Sequence, residues 1–186
     1  MYDIIIVGGG PAGQSAALFT SKAGQKTLLL DNEKGLTQRA LLKNHYGAKE
    51  LSGKELVSIG KEQAQSFGTK IQKAQVISIE NNKGAFLLQT EDGETFEGKQ
   101  VILATGSNSK LAENSGLKTM PGKEPYVKTI IEVDQDGHTN IPGIWACGVA
   151  AGVSVHTIIT SGDGARVAVN LLSEIKGERF VDHDKL

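Results

Sequence analysis

Unbroken apolar runs and alternating stretches divide the chain into elements before any single residue is weighed. Ile4, Ile5, Ile6 and Val7 form a continuous β-branched run, the pattern of a parallel strand covered on both faces. Small residues around Ala16 and Ala17 predict a helix, Gly24 a left-handed stop, and Thr27 to Leu30 a second strand. Asn32 to His45 has no period and predicts a loop. Ser52 and Glu55 stand at capping-box spacing, with Leu51 placed to staple against Leu56. Ile59, Ala64 and Phe67 continue the apolar stripe of the helix so opened, and Gly68 ends it. From Lys70 to Glu97 the period shifts towards two, with turns at 81–84 and at Asp92-Gly93, which predicts three short antiparallel strands. Gln100 to Ala104 reads as another buried strand, Asn108 to Pro125 as a polar connection, Tyr126 to Val133 as strand-like, and Ile144 to Cys147 as a strand. A last helix over about Val155 to Lys176 follows from the spacing of Val155, Ile158, Ile159, Gly162, Val169 and Leu172, with Gly177 as its stop. Gly162 and Gly164 each cost about 1 kcal/mol there relative to alanine, which predicts close packing against backbone or a ligand.

The first strand breaks into Gly8-Gly9-Gly10-Pro11-Ala12-Gly13, in which Gly8, Gly10 and Gly13 keep the G-x-G-x-x-G spacing. The first glycine permits a tight turn, the second lets backbone approach a pyrophosphate, and the third lets helix and strand pack closely. Pro11 suits the first helical turn, where a missing N–H costs nothing. Asp31 ends the second strand roughly 20 residues on, where a ribose-binding acid is expected. The pattern therefore predicts an α/β, Rossmann-like FAD/NAD(P)-binding domain, with a central parallel sheet and a three-stranded antiparallel β-meander as a crossover.

Length and charge narrow the alternatives. A chain of 186 residues fits one domain, so 1–186 reads as a single unit. Its net charge is −1 and lysine and arginine do not cluster, which argues against nucleic acid and against an anionic membrane as partners. Met1 leads almost at once into the first strand and no apolar run reaches membrane-spanning length, so a cytoplasmic protein without a leader is expected. The ending His183-Asp184-Lys185-Leu186 matches a retention tetrapeptide and is read as chance. Cys147 is the one cysteine, in an apolar strand; a Cys-x-x-Cys pair is excluded, as is a cysteine-rich metal site, and no metal is expected.

Three motifs stand in fixed order: Gly8 to Gly13, then Val101-Ile102-Leu103-Ala104-Thr105-Gly106, then Asn140-Ile141-Pro142-Gly143-Ile144-Trp145-Ala146-Cys147-Gly148 before a glycine-containing helix. Together they resemble the FAD-binding domain of the thioredoxin reductase-like, pyridine nucleotide-disulfide oxidoreductase flavoproteins. The resemblance implies non-covalent FAD. Gly8, Gly10 and Gly13 would hold its pyrophosphate, Pro11 and Ala12 would line the turn, and Asp31 would bind the adenosine ribose. Val76 would meet adenine through its backbone, and Ala104, Thr105 and Gly106 would pass beside the AMP half. Asn44 is similar to the family's flavin-side asparagine, and His156, Thr157 and Ile158 correspond to the segment whose N–H groups approach the flavin pyrimidine edge.

The chain departs from that family in four places. Only 108–125 stands where the family inserts an NAD(P)H-binding domain carrying the redox-active Cys-x-x-Cys. Gly148-Val149 replaces a Gly-Asp whose carboxylate binds the ribityl chain. The loop near Gly35 is shorter than the family's glycine-glycine-glutamine stretch, and His45-Tyr46-Gly47 replaces an aromatic, proline and glycine. Two functional readings remain open. One is a single-domain FAD flavoprotein with oxidoreductase or electron-transfer chemistry, fed by an external donor or reductase partner, with His156 tuning the flavin. The other is a non-catalytic regulatory or subunit protein that binds FAD or an adenine nucleotide. A homodimer is the simplest assembly.

Overall fold

The structure, a computed structural model, describes residues 1–183, so most of the closing tetrapeptide lies outside the described residues. In chain order the strands and helices are β1 (Tyr2–Val7), α1 (Pro11–Lys22), β2 (Thr27–Asp31), β3 (Leu41–Leu42), β4 (Leu51–Ser52), α2 (Gly53–Ser66) and β5 (Lys70–Lys73). Then come β6 (Val76–Asn82), β7 (Ala85–Thr90), β8 (Thr95–Leu103), α3 (Lys110–Asn114), β9 (Thr119–Pro121), β10 (Thr129–Ile131), β11 (Ile144–Ala146) and α4 (Thr157–Lys176).

Strand β1 lies between β2 and β8, parallel to both, while β5 pairs parallel with β2 and β11 parallel with β8. The parallel order is therefore β5-β2-β1-β8-β11, with β6 and β7 branching from the first half of β8 as an antiparallel meander. Both faces of this sheet are covered, as the unbroken run in β1 requires. Ile4, Ile6, Leu29, Ile102 and Trp145 face α1 and α4, whereas Ile5, Val7, Leu28, Leu30, Val101 and Leu103 face the core beneath the meander and α3.

Four sequence expectations change. Lys70–Lys73 is not a meander strand: it extends the parallel sheet beside β2. The third meander strand and the Gln100 strand are one continuous β8, whose Gly98 pairs with Phe86 on one side and Tyr2 on the other; a Cβ there would lie 2.7 Å from Ile5. The 108–125 segment is more than a connection, because α3 and its exit bury Leu111, Ala112 and Leu117 against the sheet. A polar average hid three apolar anchors. The strand-like 126–133 stretch reduces to β10, which pairs antiparallel with β9, and Tyr126 before it is fully exposed at φ +66°.

The capping box forms as expected: Glu55 N–H donates to Ser52 Oγ at 3.2 Å and Ser52 N–H to Glu55 Oε2 at 2.7 Å. Of the expected stripe its helix buries Ala64, beside Gly53 and Val57, but leaves Ile59 and Phe67 nearly half exposed. Helix α4 likewise departs in part. Thr157, Thr160, Asp163, Gly164, Val167, Ala168 and Leu171 are buried, as is Leu172 of the expected stripe, while Val155, Ile158, Ile159 and Gly162 lie outward. Small and polar residues face α1 in the first turns, where the two helices approach too closely for large side chains.

Gly164 answers the expectation of close packing and Gly162 does not. A Cβ on Gly164 would lie 2.0 Å from the Ala12 carbonyl oxygen, whereas one on Gly162 would meet nothing within 4 Å. Gly162→Ala is therefore expected to stabilise the chain by about 1 kcal/mol, raising its melting temperature by roughly 2 to 4 °C in a calorimetric scan. A lower melting temperature would mean that the Gly162 face is occupied.

Candidate functional site

The glycine turn carries four distinct constraints. Gly8, at φ +112°, gives its N–H to Leu30 at 2.8 Å, and a Cβ on it would lie 2.2 Å from the Ala104 carbonyl oxygen. A Cβ on Gly13 would lie 1.9 Å from the Gly8 carbonyl oxygen, so the third glycine permits the close helix–strand approach. Gly9, to which the spacing assigned nothing, would drive a Cβ into the Asp31 carboxylate at 2.3 Å. Gly10 alone of the four opens outward, with nothing within 4 Å of its Cβ position. It precedes Pro11 as the N-cap of α1, whose first N–H groups lack intrahelical partners. The turn is thus closed on its protein side and open where an anion would meet a helix N-terminus.

Asp31 borders this turn and is buried. Its Oδ1 accepts N–H groups from Gly9 at 3.2 Å and Glu33 at 3.1 Å, and its Oδ2 lies 3.4 Å from Lys61 Nζ. Lys61 also lies 3.5 Å from Glu33, which pairs with Lys73 at 2.9 Å and is held below the usual carboxylate range by that hydrogen bond. A surface cavity of about 650 Å³ opens here, with Lys61, Lys73 and Asn32 in its wall. Val76 sits on the same side, two residues beyond the Ala74 N–H that donates to Asp31 O at 3.0 Å. Its carbonyl already accepts the Gln75 side-chain amide at 3.2 Å, so a ligand approaching the Val76 backbone would share or displace that bond.

Gly8 and Ala12 join the other two motifs to the turn, Gly8 against Ala104 and Ala12 against Gly148. Ala104 N–H donates to Val7 at 2.8 Å, and Thr105 and Gly106 follow, Gly106 at φ +66°. Gly148, at φ +69°, would place a Cβ 2.7 Å from that of Ala12. Val149, half-buried, lies in the short 3-10 turn Gly148–Ala151 that follows β11. Gly8, Gly10, Pro11, Ala12, Gly13, Asp31, Ala104, Thr105, Gly106, Gly148 and Val149 therefore gather at the carboxyl ends of β1, β2, β8 and β11. Ligands of open α/β sheets bind at such an edge.

A second group lies at the start of α4. His156 is its N-cap residue, exposed, with Nδ1 2.8 Å from Ser154 Oγ; Thr157 is buried and Ile158 partly exposed. Asn44 is exposed and does not tie its loop to this helix; the neighbouring His45 does, with Nδ1 3.0 Å from Thr157 Oγ1. Sequence reasoning treated His45 as part of a departure and missed that role. It also missed Asp163, a buried acid on α4 that accepts the Gly148 N–H at 2.7 Å. An acid inside the helix, beside the glycine that must touch α1, was the available signal.

Two further groups have structural explanations. Cys147 is fully buried, and burial pushes its thiol well above the ordinary range, which removes the thiolate a nucleophile needs. Asp134, Asp136 and His138 bring ligand-type atoms within 4.8 Å of one another. Asp134 Oδ1 takes the N–H groups of Asp136, Gly137 and His138, and the His138 ring bridges Asp134 to Glu174 over Trp145, which accounts for the cluster as a turn.

Fold and turn together define a dinucleotide-binding α/β domain. Residues 2–130 match the family described as pyridine nucleotide-disulphide oxidoreductase, and the chain belongs to that family. Over 129 residues it is 39% identical to a thioredoxin reductase of Aquifex aeolicus (strain VF5), spanning 66% of this chain and 39% of that protein. A thioredoxin reductase of Helicobacter pylori (strain J99 / ATCC 700824) is 36% identical, over 66% of this chain and 41% of its own. The chain thus spans about two-fifths of the length of these relatives. The atypical thioredoxin reductase TRi from Desulfovibrio vulgaris Hildenborough superposes with a TM-score of 0.84 at 18% identity, covering 96% of this chain and 99% of that one. A thioredoxin reductase from Gloeobacter violaceus gives 0.83 at 18%, covering 100% and 99%. At these identities the likeness shows the fold. The family holds FAD non-covalently, and the open Gly10 face and the Asp31 edge fit such a dinucleotide. Among the described residues no helix is long and apolar enough to cross a membrane.

Proposed function

We propose that this chain is a single-domain FAD-binding flavoprotein that exchanges electrons with an external donor or partner. The carrying observation is the glycine turn: Gly8, Gly9 and Gly13 are packed against protein, and Gly10 alone leaves room for a ligand. Gly8, Gly10, Pro11, Ala12 and Gly13 would hold the pyrophosphate. Asp31 and Val76 would face the adenosine half, and Ala104, Thr105 and Gly106 would border it. Asn44, His156, Thr157 and Ile158 would face the flavin, with His45 fixing the loop between them. Bound FAD supplies the redox chemistry, and the protein binds and orients it. The positive end of α4 would favour negative charge beside Thr157 and Ile158.

The domain reading, with 108–125 in place of an NAD(P)H-binding domain, belongs to the same proposal. The burial of Leu111, Ala112 and Leu117 supports it, since that segment closes the core itself. Exposed Val155, Ile158 and Ile159 at the start of α4 support a partner surface, for a donor protein or a second copy. Val149 favours the second reading, a non-catalytic FAD or adenine-nucleotide subunit, because it removes the ribityl-side acid.

Turnover with NADPH and a small disulfide separates self-sufficient disulfide reduction from this proposal. One buried cysteine cannot cycle a dithiol, so FAD-loaded chain should give no turnover above that of free FAD. Sustained disulfide reduction by the chain alone would sink the partner-dependent reading. Bound flavin that no one- or two-electron donor can bleach would instead favour the non-catalytic subunit.

A further inference from the structure

Asp163 is a buried carboxylate that none of the expected cofactor contacts uses. Burying a charge is costly without partners, and Asp163 has two. Its Oδ2 accepts the Gly148 N–H at 2.7 Å, and its Oδ1 accepts Arg166 Nε at 2.9 Å, with Nη2 also at 2.9 Å. Arg166 is buttressed in turn, because its Nη1 donates to the Gln135 carbonyl, and Asn170 one helical turn further donates to the Asp136 carbonyl at 3.1 Å.

The geometry points to Asp163 as a positioning residue for the cofactor, setting the Gly148–Val149 backbone against the start of α1, with Arg166 orienting it. This rests on the FAD-binding reading proposed above. Consecutive residues of α4 hold the two walls of the site: Asp163 takes the Gly148 amide, and Gly164 admits the Ala12 carbonyl to within 2.0 Å of its Cβ position. Gly148 in turn admits the Ala12 methyl to within 2.7 Å of its own Cβ position. The spacing between pyrophosphate turn and strand-end turn is therefore set by a closed circuit, Ala12 to Gly164, Asp163 to Gly148, and back to Ala12. Val149 offers no carboxylate, so this turn presents backbone to a ligand, and Asp163 sets the direction of that backbone.

The test compares the whole chain with Asp163→Ala and Asp163→Asn. FAD affinity is followed by flavin fluorescence, and amide hydrogen exchange of 148–151 is followed in the FAD-free proteins. Asp163→Ala should weaken FAD about tenfold or more, as expected when a buried N–H loses a charged acceptor. It should also raise exchange at 148–151 while β1 and α1 stay protected. Asp163→Asn keeps an acceptor oxygen for Gly148 but turns its amide NH2 towards the Arg166 donors, so its affinity should fall between those of Asp163→Ala and wild type. If wild type binds FAD and Asp163→Ala binds it equally well, the inference fails and the cofactor reading stands. It fails as well if both variants lose affinity only in step with a general loss of protection across the sheet. Wild type that takes up no FAD overturns the cofactor reading and this inference with it.

Discussion

Gly10→Val is expected to lose FAD affinity by about a hundredfold or more while the protein stays folded. The two halves of that expectation have separate causes. Apart from its chain neighbours no atom lies within 4 Å of the Gly10 Cβ position, so a Cβ there meets open space, and the φ of −78° and ψ of −177° are ordinary for a β-branched residue. Valine is a poorer N-cap than glycine, a cost of about 1 kcal/mol. The isopropyl group would project into the space in front of the α1 N-terminus, where a pyrophosphate would have to sit. Flavin titration gives the affinity and circular dichroism the fold. Unchanged affinity in a folded Gly10→Val protein would make the glycine turn purely structural.

Gly164→Ala is expected to do the opposite and damage the fold first. Its new methyl would lie 2.0 Å from the Ala12 carbonyl oxygen and 2.8 Å from the Ala12 Cα, both backbone atoms that cannot rotate away. Helices α1 and α4 would have to separate, with a loss of about 3 kcal/mol, at the upper end of overpacking costs. For a chain of this size that lowers the melting temperature by roughly 6 to 12 °C. FAD affinity should fall with it, because Ala12 carries the pyrophosphate turn. A melting temperature within a degree or two of wild type would show that the α1–α4 contact yields, and would weaken the argument that this contact sets the site.

The contrast between Gly162 and Gly164 shows what the sequence could and could not reveal. Both glycines interrupt an apolar helix and both look costly, yet one faces open space and the other a carbonyl. Periodicity placed the α4 stripe on Val155, Ile158, Ile159, Gly162, Val169 and Leu172 because apolar side chains usually mark the buried face, and of these Leu172 is buried. Here the first turns of the buried face are built of small and polar residues, Thr157, Thr160, Asp163 and Gly164, and large apolar side chains enter it only from Val167 onward. The parallel strands were legible because a sheet covered on both faces demands unbroken apolar runs. The placement of Lys70–Lys73 was not legible, because an edge strand of mixed polarity carries no mark of its partner. At the site, the glycine spacing and Asp31 were readable, since each has a local geometric reason. Gly9, His45 and Asp163 act through partners 22, 112 and 15 residues away, which no local spacing records.

The most direct measurement is the FAD content of the purified chain after incubation with excess cofactor and removal of what is free, with heat release and chromatography identifying the flavin. About one FAD per chain is expected, released intact by heat because nothing covalent holds it. Protein that stays colourless and retains no FAD, while its circular dichroism shows the α/β fold intact, would contradict it.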